Sequence, residues 1–168
     1  VLQDNIFKSV EEAEQNLIWY PASSLCYIFK HALLRDTAYD MQLRARLRQL
    51  HQLTAQAYEK IHQDDLSNHY SELAYHYRQA EETSQEQQYT WLAAKQAAAQ
   101  FANNEALQHL DRLLELLPPS NIEQRYQALL AREKIYGLQG KRQEQKQDLK
   151  KLVALSRKLD QSKQATAA

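Results

Sequence analysis

A chain of 168 residues with 43% hydrophobic and 25% charged residues is long enough for one domain or one and a half, and its composition argues against disorder. The 21 Lys and Arg balance the 21 Asp and Glu, so no global pull toward nucleic acid or an anionic membrane is expected, while zero net charge permits self-association. The single Cys26 excludes an intramolecular disulfide framework and fits a reducing cytoplasm, and no apolar run reaches membrane-spanning length or forms a signal peptide.

With only 2 Gly and 3 Pro, and with Gln, Ala, Leu and Glu plentiful, helix is favoured throughout. The first residue is Val, and the chain is expected to be a piece of a larger protein. Ser9-Val-Glu-Glu12 has the form of a capping box and predicts a short helix over 10–16. Leu17 to Tyr20 is strand-like, Pro21 to Ser24 a turn, and Leu25 to Lys30 a returning strand, with Leu25, Tyr27 and Phe29 at a two-residue period. Cys26, on that strand with no base beside it, reads as a small packed hydrophobe. At His31 the period changes. Leu33, Leu34 and Ala38 suit a short helix, and Leu43, Leu47, Leu50, Thr54, Ala57, Tyr58 and Ile61 fall on one face of a long one. Helix, hairpin and helix is what remains when a winged-helix domain is cut near its wing.

Past Asp64-Asp65 the pattern is helix upon helix. Ser67 is a candidate cap for a helix with Tyr70, Leu73, Ala74 and Tyr77 on one face. Ser84-Gln-Glu-Gln87 and Ser120-Asn-Ile-Glu123 are two more box-like starts, and Asn103 or Asn104 caps the helix between them. Pro118-Pro119 ends that helix, and Gly137 to Gly140 makes the last turn. A final helix is predicted over 142–159, with a disordered tail over 161–168.

Ala106, Leu110, Leu113 and Pro118 occupy the offsets of the second helix of a tetratricopeptide repeat, which that segment resembles, and Ala94 falls at the small position of the first helix. Leu73, Ala74 and Tyr77 form a weaker copy, and the repeat's first-helix Trp and Gly are absent. The predicted fold is therefore all-α: antiparallel helical hairpins stacked as a tetratricopeptide-like solenoid over 43–160, led over 1–42 by a winged-helix remnant with its β-hairpin.

At YIFKHALLRDTAY, followed by RARLRQLH, the chain resembles the junction between winged helix and helical repeats in bacterial STAND-type ATPases. These signalling regulators carry a cyclase, kinase or DNA-binding output. The resemblance extends to Glu72–Tyr77, Phe101–Leu107 and Leu130–Tyr136. It implies a cytoplasmic, non-catalytic relay and protein-interaction scaffold. ATP or ADP would be held by an ATPase module of the parent protein, and other parent domains or a protein partner would be contacted. It also implies a role for His31, which matches the His of a Met-His-Asp motif that contacts the ADP phosphate in related proteins. Lys30 and Ala32 depart from that motif's Met and Asp.

No phosphate-binding loop, serine elbow or His-Glu-x-x-His metal motif is present in the sequence, so no catalytic residue, cofactor or metal is assigned to the chain itself. His62, His69 and His76 recur every seven residues, which along one helix is about 10.5 Å and too far for one metal. Glu72 and His76 read as a surface pair. Arg35, Arg44, Arg46 and Arg48 read as a solvated basic face, with DNA contact as a competing reading. Tyr70, Tyr77, Trp91 and Tyr126 are the candidate interaction residues among unusually many aromatics in the repeat region. A self-associating helical adaptor is the remaining alternative.

Overall fold

Straight-chain and Ala residues dominate between widely spaced breakers, and the result is helix over most of the chain. The computed structural model describes the backbone of residues 2–23 and 26–166 and the side chains of 8–22 and 27–160. Among these residues are eight α-helices and one two-stranded antiparallel sheet, with no helix long and apolar enough to cross a membrane. The chain divides into two compact units, residues 1–47 and 48–168, and the division falls inside a helix rather than before it.

In the first unit α1 (Leu2–Gln15) leads to β1 (Trp19–Ser23), β2 (Cys26–Phe29) and α2 (Ala32–Asp40). The box expected at Ser9 is not a start: α1 runs straight through it. The turn expected at Pro21 is strand, with Trp19 opposite Phe29, Tyr20 opposite Ile28 and Pro21 opposite Tyr27. Pro is tolerated there because a two-stranded sheet is all edge. The Trp19 indole meets Phe29 edge-on at 5.6 Å and Tyr27 at 5.8 Å. Ser24 and Leu25, assigned to turn and strand, lie outside the described residues, as does the side chain of Cys26.

The second unit holds most of α3 (Arg44–Ile61), a short 3-10 turn (Leu66–His69), α4 (Tyr70–Gln79), α5 (Thr83–Ala99), α6 (Asn103–Leu116), α7 (Ile122–Leu138) and α8 (Arg142–Thr166). From α4 onward each helix packs on the next. Short connections make long neighbouring contacts possible only if successive helices reverse direction. Three of the connections are built alike. Glu81, Phe101 and Gly140 each sit at positive φ, and the next amide donates back to the carbonyl five residues earlier: Glu82 to Tyr77, Ala102 to Ala97 and Lys141 to Tyr136. This is the Schellman ending, which satisfies otherwise orphaned carbonyls. Leu17 closes α1 in the same way, with Ile18 donating to Ala13. Only Gly140 of the four advertises itself in the sequence.

The core of the second unit lies along the α5–α6–α7 seam, around Ala94, Ala97, Ala106, Leu110, Leu113, Leu117, Ala128 and Ile135, and a second cluster joins Ala55, Leu73, Ala74, Tyr77 and Tyr89. Small residues let the helix axes approach, and the leucines fill the remaining space.

Several expected starts are different in detail. Ser67 lies inside the 3-10 turn, and Asp65 and His69 occupy the cap positions without side-chain bonds to the helix amides. Ser84 lies inside α5, whose cap position is Glu82; Glu86 is buried and pairs with Arg112 at 2.8 Å, and Gln87 Nε2 donates to the Leu116 carbonyl. The backbone of α6 starts after Ala102 without an Asn cap. At α7 the cap is Asn121, accepting from the Gln124 amide, one residue after Ser120. The segment expected to be a disordered tail continues α8 to Thr166, as its Lys, Gln and Ala favour helix.

The larger difference is α3. Its leucine stripe was expected inward, but the buried residues are His51 and Ala55, while Leu50, Leu53 and Ile61 are exposed. The inward face is rotated by one position, about 100°, from the stripe. Polar partners decide this, because Gln52 and Glu59 on the inward side bond to Glu82, Tyr77 and Tyr89.

Candidate interaction groove and a histidine seam

A groove of about 470 Å³ lies along α5, α6 and α7. Its floor is apolar, from Trp91, Leu92 and Leu113. Its walls are Ser84, Gln87 and Gln88 on one side and Gln124 and Gln127 on the other. Helical spacing produces this: Gln87 and Gln88 lie four and three residues before Trp91, and Gln124 and Gln127 are three apart, so each set shares a face. No lining residue is charged. The Lys95 ammonium lies 5.4 Å from the Trp91 ring centroid. The volume falls within the range of about 300–1,000 Å³ usual for ligand sites.

A second concavity of about 510 Å³ has the opposite character, with Asp111, Glu115, Arg125, Arg132, Asp148 and Lys151 in its wall. Several of its charges are paired or hydrogen-bonded. Arg132 donates to both oxygens of the buried Asp148 at 2.7 Å and also pairs with Asp111; Arg125 donates to the Leu114 and Leu117 carbonyls. That network ties α6, α7 and α8 together.

The candidate residues separate. Trp91 lines the groove. Tyr77 does not offer a contact surface: it is 4% exposed, stacks on Tyr89 with ring planes 3° apart, and donates to Glu59. Burial, with the hydrogen bond to Glu59, raises the pKa of both phenols far above the ordinary value. Tyr70 is half-buried beside Tyr89, and Tyr126 is half-buried on α7 outside the groove lining. The Gln residues that make the walls were missed, although the i, i+4 and i, i+3 spacing of Gln87 and Gln88 to Trp91 was visible. His31 is exposed at the N-cap position of α2 and makes no side-chain cap bond. Arg35 pairs with Asp36 at 2.7 Å and Arg48 with Glu81 at 2.6 Å.

The histidines are brought together across a turn, which seven-residue spacing on a single helix did not foresee. His62 directly follows α3 and His69 closes the 3-10 turn before α4, and their rings lie 3.9 Å apart by centroid. His51 and His76 face one another, Nδ1 to Nδ1 at 2.9 Å, with Tyr75 edge-on to His51 and Tyr58 beside His76. His76 is therefore part of the α3–α4 seam rather than a surface pair with Glu72. Burial pushes the His51 and His76 pKa values below the ordinary 6.5; for His76 the neighbouring His51 adds to this and Glu72 opposes it. Among the described residues no group of three or more His, Cys, Asp or Glu is placed to hold a metal ion.

No family model matches this sequence, and no curated protein or solved structure matches it either.

Proposed function

We propose that this chain is a non-catalytic protein-interaction scaffold of tetratricopeptide-like helical hairpins, acting as a regulatory relay inside a nucleotide-regulated STAND-type ATPase. The observation that carries the scaffold reading is the uncharged groove with Trp91 in its floor. Ala94 and Ala128, on the first helices of successive hairpins, are both buried and stand 34 positions apart, the tetratricopeptide period. The ATPase setting rests on the resemblance of the segment around His31 and of the later stretches.

A photo-crosslinking residue at Gln88 should capture a discrete partner in the source cell, while the same group at the exposed Lys150 should not. Equal yields from both positions would remove the groove as the contact surface. In the full-length parent, His31→Ala should lower the amount of ADP that copurifies; unchanged nucleotide content would deny His31 that role.

Self-association has its own supporting observation, the exposed Leu50, Leu53 and Ile61 of α3. Sedimentation that stays monomeric at high concentration would exclude it.

A further inference from the structure

We propose that Ser71, Glu105 and His109 form a three-ligand site for a divalent transition-metal ion of zinc's type, joining α4 to α6. The site lies outside the groove and stands independently of the scaffold reading. Ser71 Oγ lies 3.1 Å from His109 Nε2 and 3.2 Å from Glu105 Oε1, and those two atoms are 3.7 Å apart. Nitrogen and oxygen ligands at about 2.0–2.2 Å from one ion stand about 2.8–3.6 Å from each other, across octahedral and tetrahedral geometries. Two edges of the triangle already fall in that range. The third needs only a small rotation of the Glu105 carboxylate, whose side chain is 52% exposed.

Local structure fixes this set. Glu105 and His109 are four residues apart on α6 and share one face, while Ser71 comes from the first turn of α4. Packing holds the His109 ring, and the exposed side of Glu105 admits water to the remaining coordination positions. Arg112, three residues beyond His109, is engaged by Glu86 at 2.8 Å and Glu115 at 3.2 Å rather than by Glu105. The same atoms do not make a nucleophile and base. A carboxylate that orients a catalytic imidazole does so from its other nitrogen. Here Glu105 approaches Nε2, the nitrogen that also meets the hydroxyl, and the Ser71 proton goes to the carboxylate. Metal binding uses the Nε2 lone pair, with the ring proton on Nδ1. One imidazole with two oxygens suits zinc, copper or nickel better than magnesium or calcium.

The test is calorimetric titration of the whole chain with zinc at neutral pH, beside nitrogen–proton NMR of its imidazoles. The expected result is one zinc ion per chain with a micromolar Kd. His109→Ala and Glu105→Gln should each weaken binding by roughly tenfold or more, since even partners behind a ligand carry that much. Ser71→Ala should weaken it less, because water replaces a neutral hydroxyl, and Ser71→Cys should tighten it, because a thiolate is the stronger zinc ligand. The NMR arm uses the unaltered chain and reads the site even where a variant unfolds. On zinc addition the His109 Nε2 signal should shift, while those of His51, His62, His69 and His76 stay. Binding that survives both His109→Ala and Glu105→Gln, or that shifts those four signals instead, would put the ion in the α3–α4 seam and overturn the proposal. Zinc affinity weaker than millimolar in the unaltered chain would overturn it as well.

Discussion

Acid should loosen the α3–α4 seam, and the structure sets both sign and ceiling. The perturbation is a change from pH 7.5 to pH 5.5. His51 and His76 are each held below the ordinary pKa of 6.5, in both cases first by burial. The Nδ1–Nδ1 contact at 2.9 Å also requires one neutral ring of the two as acceptor. Between the depressed folded values and 6.5 the unfolded chain binds more protons, so stability is complete above 6.5 and falls as pH drops below it. Each histidine can contribute at most about 1.4 kcal/mol per pH unit, so the two together could remove up to about 3 kcal/mol by pH 5.5. That is a large part of the roughly 5–15 kcal/mol typical of a domain. Urea unfolding followed by far-UV circular dichroism across this range measures it, staying above the pH at which carboxylates titrate. His51→Phe keeps a ring in the seam without a titrating group and should flatten the slope. A stability that is level from pH 7.5 to 5.5, or rises in acid, would refute the reasoning.

Asp148→Ala leaves the 13%-exposed Arg132 with only Asp111 and should cost about 3–5 kcal/mol in urea unfolding; a cost below about 1 kcal/mol would show that Asp111 suffices. Glu59→Ala strands two phenols that donate to one carboxylate oxygen, at 2.8 and 2.6 Å, and should destabilise by about 1–3 kcal/mol; the ultraviolet titration of tyrosine should also move two of the 10 tyrosines back toward the ordinary range. Phe101→Gly should stabilise slightly, by up to about 1 kcal/mol, because the side chain is 81% exposed and the backbone sits at φ 58; a lower melting temperature would mean that the ring contributes more than its left-handed backbone costs.

Helix content and its approximate placement were written in the sequence, because they depend on local propensity and on spacing that a single segment carries. The inward residues of α4 and α6 followed from that spacing, since both helices bury aliphatic and aromatic side chains at the expected offsets. Where a helix buries polar groups the rule stopped working. On α3 the partners of His51 and Glu59 lie 18 to 30 residues away, and they, not the leucines, chose the inward face. The helix ends at Leu17, Glu81 and Phe101 were likewise silent, since each is a non-glycine residue at positive φ, where glycine is the usual marker.

What the amino-acid order determined by itself was a set of amphipathic helices with few breakers and a hairpin near the start, with Trp91 one of four candidate contact residues. Tertiary packing alone decided that four glutamines would wall a groove around that indole, that Tyr77 would be sealed inside, and that His62 would meet His69 across a turn. The physical reason is range. Periodicity reports which residues share a face of one helix, whereas a site is defined by which faces of different helices are turned toward each other.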